Sequence, residues 1–262
     1  MAEVFGFDDV VRNWPRFPVE ADKYARGVVG IMTGSDRYPG AALLSVLGAL
    51  NSGAGFVRFC GTNSARMAIL TRTPSVTFGL GRVGAWVLGC GWDDEDIDSN
   101  REQWNQAMAS HVPVVVDAGG LAFVKEGCST SALLTPHAGE LARLLEVERA
   151  DVEAAPQFHV MKAARTTGAA VLLKGHTQYL GSPSGKVTQI QHGSPWLARA
   201  GSGDVLAGIA GTLLAQTGDP ELAGLLAAGL QAWVSTIHLG PYPPNVMAEY
   251  LPGHIGSQLP TR

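Results

Sequence analysis

The sequence contains few charged residues, no excess of basic residues and no long apolar segment. Charged side chains make up 16% of the 262 positions, and 19 Lys and Arg against 23 Asp and Glu give a net charge of -4 at pH 7. Such a chain lacks the basic surface that sequence-independent binding to nucleic acid requires. Its longest apolar run, at 222–230, is too short to cross a bilayer. We therefore expect neither a nucleic-acid partner nor a membrane partner.

Cysteine is scarce as well. Cys60, Cys90 and Cys128 are the three cysteines of the chain, far apart in sequence and odd in number. That pattern is typical of reduced thiols, and it argues against both a disulfide framework and a metal-ligand cluster. Acidic residues such as Glu3 and Asp8 occur where a signal peptide needs an apolar core. The sequence thus predicts a cytoplasmic location and no dedicated protein metal site.

Common nucleotide-binding and hydrolase motifs are missing or out of place. Neither GxxxxGK followed by Ser or Thr nor GxSxG occurs, which argues against a P-loop enzyme and an α/β-hydrolase. A GxGxxG pattern does occur at 79–84, but it runs into the apolar stretch AWVLG at 85–89 instead of opening a helix. The pattern therefore lacks the strand–turn–helix context of a dinucleotide-binding fingerprint.

Apolar residues are plentiful, at 46%, and 33 glycines allow many tight turns, so we expect one α/β domain over residues 1–262. Apolar runs typical of buried strands alternate with helical patterns, which predicts a mostly parallel sheet with helices on both faces. Residues 1–22 are predicted as a short helix with an extended lead-in, and 175–191 as a hairpin. The predicted strands are 27–33, 55–60, 76–78, 85–88, 112–116, 132–134 and 169–173, and the final predicted helices are 203–216 and 220–239, after an early one at 41–52.

The segment ARAGSGDVLAG at 198–208 predicts an anion site. Gly201, Ser202 and Gly203 form a turn of small residues that opens a helix, and the first amides of a helix have no partner inside it. Those amides and the helix dipole together attract a phosphate group. Asp204 lies in the first turn, where two roles are open: a stabilising N-terminal acid, or a base that accepts a proton from a hydroxyl group.

Three further predicted strands end in charged or titratable residues. Asp117 is either a turn former or a group that lines the crevice at the carboxyl edge of the sheet. His137 and Glu140 open a helix, where both a structural capping role and a ligand contact are open. Lys174 directly follows a buried strand, and a lysine there needs a phosphate or carboxylate partner.

In their order along the chain, these segments resemble the NAD(P)H-hydrate dehydratases of the ribokinase-like superfamily. The segments are GSDRYPGAALL at 34–44, GCGWDD at 89–94, VVVDAGGL at 114–121, LTPHAGEL at 134–141, LLKGHTQ at 172–178 and ARAGSGDVLAG at 198–208. LTPHAGE is the segment that best discriminates between related families, since the related hydroxymethylpyrimidine kinases usually have Asn in place of His137. The resemblance implies a three-layer α/β/α sandwich with a mostly parallel sheet. It also implies dehydration of the S-epimer of hydrated NADH or NADPH with ADP (ATP in eukaryotes) and Mg²⁺, releasing AMP and phosphate.

The resemblance assigns roles to individual residues. The adenine-nucleotide contacts it implies are Lys174, Gly175, His176, Thr177, Gln178, Gly201, Ser202 and Gly203. The substrate contacts it implies are Ala41, Gly91, His137 and Asp204, of which Asp204 is the catalytic residue. Mg²⁺ would be held mostly by phosphates and waters, with Glu140 or Asp117 as outer ligands. The family tendency is a homotetramer, and a separate epimerase is an implied functional partner.

Two positions depart from the family pattern, and two rival functions stay open. Gly120 occurs where Asp or Asn is common, and Arg199-Ala200 where Thr-Gly is common. The Arg199 guanidinium either reaches a phosphate or lies on the surface with its head in water. One rival is a vitamin-precursor kinase of the same fold, and the other is a nucleotide-binding module without catalysis. Retention of Asp204 and Lys174 argues against the second rival.

Overall fold

The computed structural model describes residues 3–128 and 131–258, and these contain one ten-stranded sheet. The strands are β1 Glu3–Phe5, β2 Val28–Met32, β3 Phe56–Phe59, β4 Thr77–Phe78, β5 Ala85–Leu88, β6 Val114–Val116, β7 Ala132–Leu134, β8 Ala170–Leu173, β9 Gln178–Gly181 and β10 Val187–Ile190. Their order across the sheet is β1-β10-β9-β8-β7-β6-β5-β2-β3-β4. β9 is antiparallel to β8 and β10, and the other neighbouring pairs are parallel. The predicted, mostly parallel sheet with a hairpin over 175–191 is confirmed.

Helices lie on both faces of this sheet. They are α1 Phe7–Asn13, α2 Pro39–Asn51, α3 Asn63–Arg72, α4 Ile97–Ala109, α5 Ala138–Leu145, α6 Arg149–Ala154, α7 Pro156–Thr167, α8 Ser202–Thr217, α9 Pro220–Ile237 and α10 Pro244–Gln258. Short 3-10 helices occur at Asp94–Asp96, Ala118–Glu126 and Pro195–Leu197. No helix within the described ranges is both long and apolar enough to span a bilayer.

Strand residues alternate between two apolar cores. In β6, Val115 packs in the core formed with α2, α8 and α9, whereas Val114 and Val116 pack in the core formed with α4, α5 and α7. Val87 in β5 and Leu172 in β8 also face the first core, and the residues on either side of them face the second. Because successive side chains of a strand point to opposite faces, the sheet is the middle layer of three. This is the α/β/α architecture that the resemblance implies.

Close packing of α2 against α8 fixes the start of α8. A Cβ atom on Gly208 would lie 2.0 Å from the Ser45 carbonyl oxygen, and one on Gly48 would lie 2.2 Å from the Val205 carbonyl oxygen. Only glycine lets the two backbones approach so closely. Since α2 begins soon after β2 ends, this packing places the first turn of α8 near the carboxyl edge of the sheet.

Two elements differ from the sequence prediction. β1 is an edge strand that pairs with β10, whereas the sequence predicts only an extended lead-in there. The helix predicted as the last one ends near 239, but α10 follows it at Pro244–Gln258. Pro252 lies inside α10, and Pro and Gly are poor helix formers, so packing on α2 and α9 outweighs local propensity. The predicted domain span 1–262 includes residues 1–2, 129–130 and 259–262, which lie outside the described residues.

Candidate active site

Neighbouring parallel strands end at one edge of the sheet and bring the polar groups of the candidate site together. Asp117 directly follows β6, Thr135 directly follows β7 and Lys174 directly follows β8, while Cys90 lies two residues beyond β5. These strands are parallel neighbours, so their carboxyl ends meet at one edge. The sequence predicts this edge for Asp117 and Lys174, and the structure places both there.

Lys174 and Asp117 form a buried ion pair. The Lys174 ammonium donates a hydrogen bond to Asp117 Oδ1, which also accepts one from the Thr135 hydroxyl at 2.9 Å. The two charged side chains are 18% and 3% exposed. Burial lowers the pKa of Lys174, but the Asp117 and Glu140 carboxylates outweigh that effect, and the net pKa is raised. Lys174 therefore has the carboxylate partner that its position demands, and it remains a cation beside the start of α8.

The turn that opens α8 is held by its own polar groups. Gly201 is the N-cap residue with φ +95°, in the left-handed region that favours glycine. The Ser202 hydroxyl bonds to the carbonyl oxygens of Leu197 and Arg199, each at 2.8 Å. The Ser202 amide also bonds to the Arg199 carbonyl, at 3.2 Å. Ser202 thus serves the turn itself, and the next amide belongs to Gly203.

Gly203 faces the ion pair directly. A Cβ atom on Gly203 would lie 3.3 Å from Lys174 Nζ and 3.7 Å from Asp117 Oδ2. The start of α8 and the Lys174 ammonium therefore bound one small space. Helix amides and an ammonium group that converge in this way form a site for an anion such as phosphate.

Asp204, in the first turn of α8, is a carboxylate in an unfavourable environment for its charge. Burial and the nearby Asp117 carboxylate raise the pKa of Asp204 to about 7, although Lys174 and the Cys90 thiol lower it. A carboxyl group that titrates near neutral pH is suited to accept a proton during a reaction. Of the two roles that the sequence leaves open for Asp204, this environment favours the base.

His137 and Glu140 form a capping box at the start of α5. The His137 Nδ1 atom accepts hydrogen bonds from the amides of Gly139 at 3.0 Å and Glu140 at 3.2 Å, and Glu140 Oε2 accepts one from the His137 amide at 2.7 Å. These contacts are the structural role that the sequence leaves open for the pair. The His137 Nε2 atom lies 3.3 Å from Glu140 Oε1, and the His137 side chain is still 54% exposed, so a ligand can reach the ring.

An open cleft of about 1330 Å³ joins these groups. It brings together most of the residues that the sequence assigns to the site: His137, Lys174, Gly175, His176, Gln178, Gly201, Ser202, Gly203 and Asp204. Asp117 and Arg199 also line it. Three assigned residues are not in this lining, namely Thr177, Ala41 and Gly91. Thr177 lies in the loop between β8 and β9, next to lining residues on both sides.

Ala41 and Gly91, two predicted substrate contacts, touch each other. A Cβ atom on Gly91 would lie 2.5 Å from Ala41 Cβ and 3.2 Å from the Tyr38 carbonyl oxygen. Gly91 also has φ +67°, so glycine is required there for two separate reasons. By contrast, a Cβ on Gly89 would lie 2.1 Å from the Asp117 carbonyl oxygen. The contact with α2 thus belongs to Gly91, while Gly89 packs under the Asp117 backbone.

Comparisons with known proteins show the family of this chain. A family model described as NAD(P)H-hydrate dehydratase matches residues 29–251. The chain belongs to the NAD(P)H-hydrate dehydratase family. It is 39% identical over 229 residues to a bifunctional NAD(P)H-hydrate repair enzyme of Mycobacterium tuberculosis, covering 81% of this chain but 46% of that protein. It is 32% identical to the ADP-dependent (S)-NAD(P)H-hydrate dehydratase of Neisseria meningitidis, over 75% of this chain and 72% of that protein.

Solved structures support the same family. An ADP/ATP-dependent NAD(P)H-hydrate dehydratase of Bacillus subtilis, co-crystallised with ATP and Mg²⁺, has a TM-score of 0.88 and 25% identity, covering 96% of this chain and 97% of that one. A hydroxyethylthiazole kinase of Pyrococcus horikoshii has a TM-score of 0.60 at 17% identity over 96% of this chain and 94% of that one, which shows the fold alone. The chain spans about half the length of the bifunctional relatives that it matches.

Beside the main cleft of this family member lies a small, mostly apolar cavity that the sequence does not predict. It lies between α8, α9 and α10, with Trp196, Tyr242 and Met247 among its walls. The residues that it shares with the main cleft are Leu197, Arg199, Ser202 and Gln231. Gln231 donates a hydrogen bond to the Ser202 carbonyl oxygen at 2.9 Å. A polar side chain within the apolar pattern of α9 is the only sequence feature that could have indicated this residue.

Proposed function

We propose that this chain uses an adenine nucleotide to dehydrate hydrated NADH and NADPH, acting on the S-epimer, with ADP as donor and AMP and phosphate as further products. The single observation that carries the proposal is Asp204 with a pKa raised to about 7, placed beside a Lys174 cation and the first amides of α8. Relatives in the same family are named for ADP-dependent dehydration of the (S)-hydrate. We also propose that residues 1–262 form one catalytic domain.

In the proposed reaction, the hydroxyl of the hydrated ring attacks the terminal phosphoryl group of ADP. Asp204 accepts the hydroxyl proton as the new oxygen–phosphorus bond forms and the bond to AMP breaks. Lys174 and the amides that begin with Gly203 stabilise the charge on the transferred group. The carbon–oxygen bond of the phosphate ester then breaks, phosphate leaves with the electron pair, and the ring nitrogen supplies electrons. Loss of a ring proton restores the reduced nicotinamide.

The nucleotide is proposed to lie along the segment after β8. Lys174, Gly175, His176, Thr177 and Gln178 would contact it, and its phosphates would lie at the start of α8. The small apolar cavity shares four lining residues with the cleft and lies next to this phosphate position. The hydrated dinucleotide would then approach from the side of Ala41, Gly91 and His137.

Mg²⁺ fits this site as an ion held mainly by the nucleotide. Glu140 is already bound to His137, and Asp117 to Lys174 and Thr135, so their carboxylates fit the outer, water-mediated role. Cys90, Asp117 and Asp204 do offer three ligand atoms within 4.8 Å of one another. A thiol is a poor ligand for Mg²⁺, however, and this trio does not suit that ion. When bound, Mg²⁺ would neutralise phosphate charge.

Product analysis tests the proposal. Incubation with hydrated NADH and either ADP or ATP should restore the absorbance of the reduced ring, with release of AMP (or ADP) and inorganic phosphate in equal amounts. A vitamin-precursor kinase would instead leave a stable phosphate ester, and a binding module would give no turnover. Failure to restore absorbance with both nucleotides would overturn the proposed function.

Partner proteins form a separate part of the proposal. The relatives named as bifunctional repair enzymes are about twice as long as the matched region, and we propose that an epimerase supplies the S-epimer to this chain. We also propose a homotetramer. Sedimentation of the purified protein tests the assembly state, and a monomer at working concentration would exclude the tetramer.

Arg199 lies at the edge of the site, and two roles are open for it: a phosphate contact or a surface position. Its guanidinium donates a hydrogen bond to the Pro241 carbonyl oxygen at 2.6 Å, and the residue lines both the cleft and the apolar cavity. A guanidinium has five N–H donors, so others remain for a phosphate. We predict that Arg199→Thr weakens binding of one phosphate-bearing ligand about tenfold and reduces the salt sensitivity of that binding.

Calorimetric titration with ADP and with hydrated NADH checks this prediction. Arg143→Thr, which removes an exposed arginine from α5, is the matched control and should leave both affinities unchanged. The melting temperature of ligand-free Arg199→Thr should stay close to that of the wild type. Equal affinities of variant and wild type for both ligands at low salt would make Arg199 a surface residue without a role in binding.

A further inference from the structure

A buried thiol lies between the two carboxylates of the candidate site, and the proposed reaction does not use it. The Cys90 side chain is 0% exposed. Its Sγ atom donates a hydrogen bond to Asp117 Oδ2 at 3.6 Å. Sγ and one carboxylate oxygen from each of Asp117 and Asp204 all lie within 4.8 Å of one another. The thiol therefore lies within 4.8 Å of a carboxylate oxygen of the proposed base.

The backbone holds this thiol in place. Cys90 lies between Gly89 at φ +97° and Gly91 at φ +67°, and its carbonyl oxygen accepts a hydrogen bond from the Gly34 amide at 2.6 Å. Both flanking conformations favour glycine, so the turn has little freedom to change. Ser45 of α2 is buried beside the thiol. Cys90 is thus a fixed group rather than a mobile one.

The two carboxylates differ in how they are engaged. Asp117 Oδ1 accepts hydrogen bonds from Lys174 and Thr135, and Oδ2 accepts the bond from Cys90. Asp204 faces the Asp117, Lys174 and Glu140 charges and the Cys90 thiol. A carboxylate near a like charge is disfavoured unless a donor lies close to it. The thiol hydrogen is such a donor, and rotation about the Cys90 Cβ–Sγ bond directs it to either carboxylate while Sγ stays in place.

We propose that Cys90 is a positioning residue for Asp204: its thiol donates a hydrogen bond that stabilises the ionised Asp204 carboxylate and holds it apart from Asp117. The proposal rests on the role of Asp204 as the base in the proposed function. An alternative is that Cys90 only fills space in the core. Only the first alternative requires a hydrogen-bond donor at this position. Substitution by Ser, which retains a donor, and by Ala, which does not, therefore distinguishes them.

The pH dependence of kcat/KM separates these alternatives, since it reports the ionisation of groups in the free enzyme. Loss of the thiol donor should raise the pKa of Asp204, so the acid limb of the Cys90→Ala profile should move up by about 0.5 to 1 pH unit. Such a shift makes the variant about three- to eightfold slower than the wild type near about pH 6.5 but nearly equal near about pH 8.5. Cys90→Ser should restore the wild-type profile or move it lower.

Cys60→Ala is the matched control, because Cys60 is a half-buried thiol after β3 and away from the carboxylates. Its profile should match that of the wild type. If the Cys90→Ala and Cys90→Ser profiles both coincide with the wild-type profile, or if both are displaced alike, the hydrogen-bonding role of Cys90 is wrong and the side chain only packs.

Two measurements do not depend on turnover, and they separate failure of this proposal from failure of the proposed function. In carboxyl-labelled protein, the NMR signal of Asp204 is assigned by its loss in Asp204→Asn. The pKa obtained from titrating this signal should be raised in Cys90→Ala by the same amount as in the pH profile. In the wild type, the S–H stretching band of Cys90, assigned by its loss in Cys90→Ser, should move as Asp204 ionises. That movement should be absent in Asp204→Asn. An S–H band insensitive to the ionisation of Asp204 would overturn the proposal even if Cys90→Ala fails to fold.

Discussion

Replacing Asp204 by Asn should lower turnover by about a hundredfold or more while nucleotide binding is largely kept, because a positioned general base contributes about 10²- to 10⁴-fold. Asn preserves the size of the side chain and removes its ability to accept the hydroxyl proton. Lys174, Gly203 and the cleft remain as they are, so the nucleotide still has its phosphate site. Turnover of hydrated NADH, followed by absorbance, and ADP binding, followed by calorimetry, measure the two effects separately.

The stability of Asp204→Asn provides an internal control. Folding raises the pKa of Asp204 from 3.8 to about 7, so the folded state binds the proton more tightly than the unfolded state does. The free energy of unfolding therefore falls as pH rises through that interval, and it stays low above the folded pKa. Asp204→Asn should melt at or above the wild-type temperature near about pH 8 and closer to it near about pH 4. A folded Asp204→Asn variant with near-normal turnover would exclude Asp204 as the base. Asp151→Asn on α6 is the control, and its turnover should equal that of the wild type.

The sheet was largely predictable because buried strands leave a local pattern. β5 and β7 have the same bounds as the predicted strands 85–88 and 132–134, since each is an apolar run with turn residues around it. β1 has no such pattern, because two of its three residues are exposed and it exists through pairing with β10. The helix α10 contains Pro252, and only tertiary packing makes it a helix.

The candidate site was predictable where one residue requires a partner of a given charge. A lysine after a buried strand needs an anion, which indicated Lys174 before its contact with Asp117 was known. Cys90 and Gln231 could not be predicted in this way. A cysteine such as Cys90 is often buried as an ordinary small apolar residue, as alanine is. A single polar residue in a helix, such as Gln231, is compatible with solvent exposure. Their roles depend on distances between segments far apart in the chain.

Replacing Gly203 by Val should abolish the rise in melting temperature that adenine nucleotide gives to the wild type. Nucleotide at about a hundred times its Kd stabilises the folded state by about 2.7 kcal/mol, which corresponds to about 5 to 10 °C for a chain of this size. A Cβ atom on Gly203 would already lie 3.3 Å from Lys174 Nζ. The two further methyl groups of Val extend into the space between that ammonium and the start of α8, where the phosphate is proposed to bind.

The backbone at Gly203 accepts the substitution, so loss of binding can be separated from loss of folding. Gly203 lies inside α8, outside the left-handed conformation that Gly201 requires, and Val costs a helix less than about 1 kcal/mol. Gly253→Val in α10 is the matched control, because a Cβ on Gly253 meets no atom of the described residues within 4 Å. Both variants should melt cooperatively near the wild-type temperature without nucleotide, and only Gly253→Val should respond to ADP. A full response in folded Gly203→Val would mean that the phosphates do not lie at the start of α8, and the assignment of Lys174 to the nucleotide would fail with it.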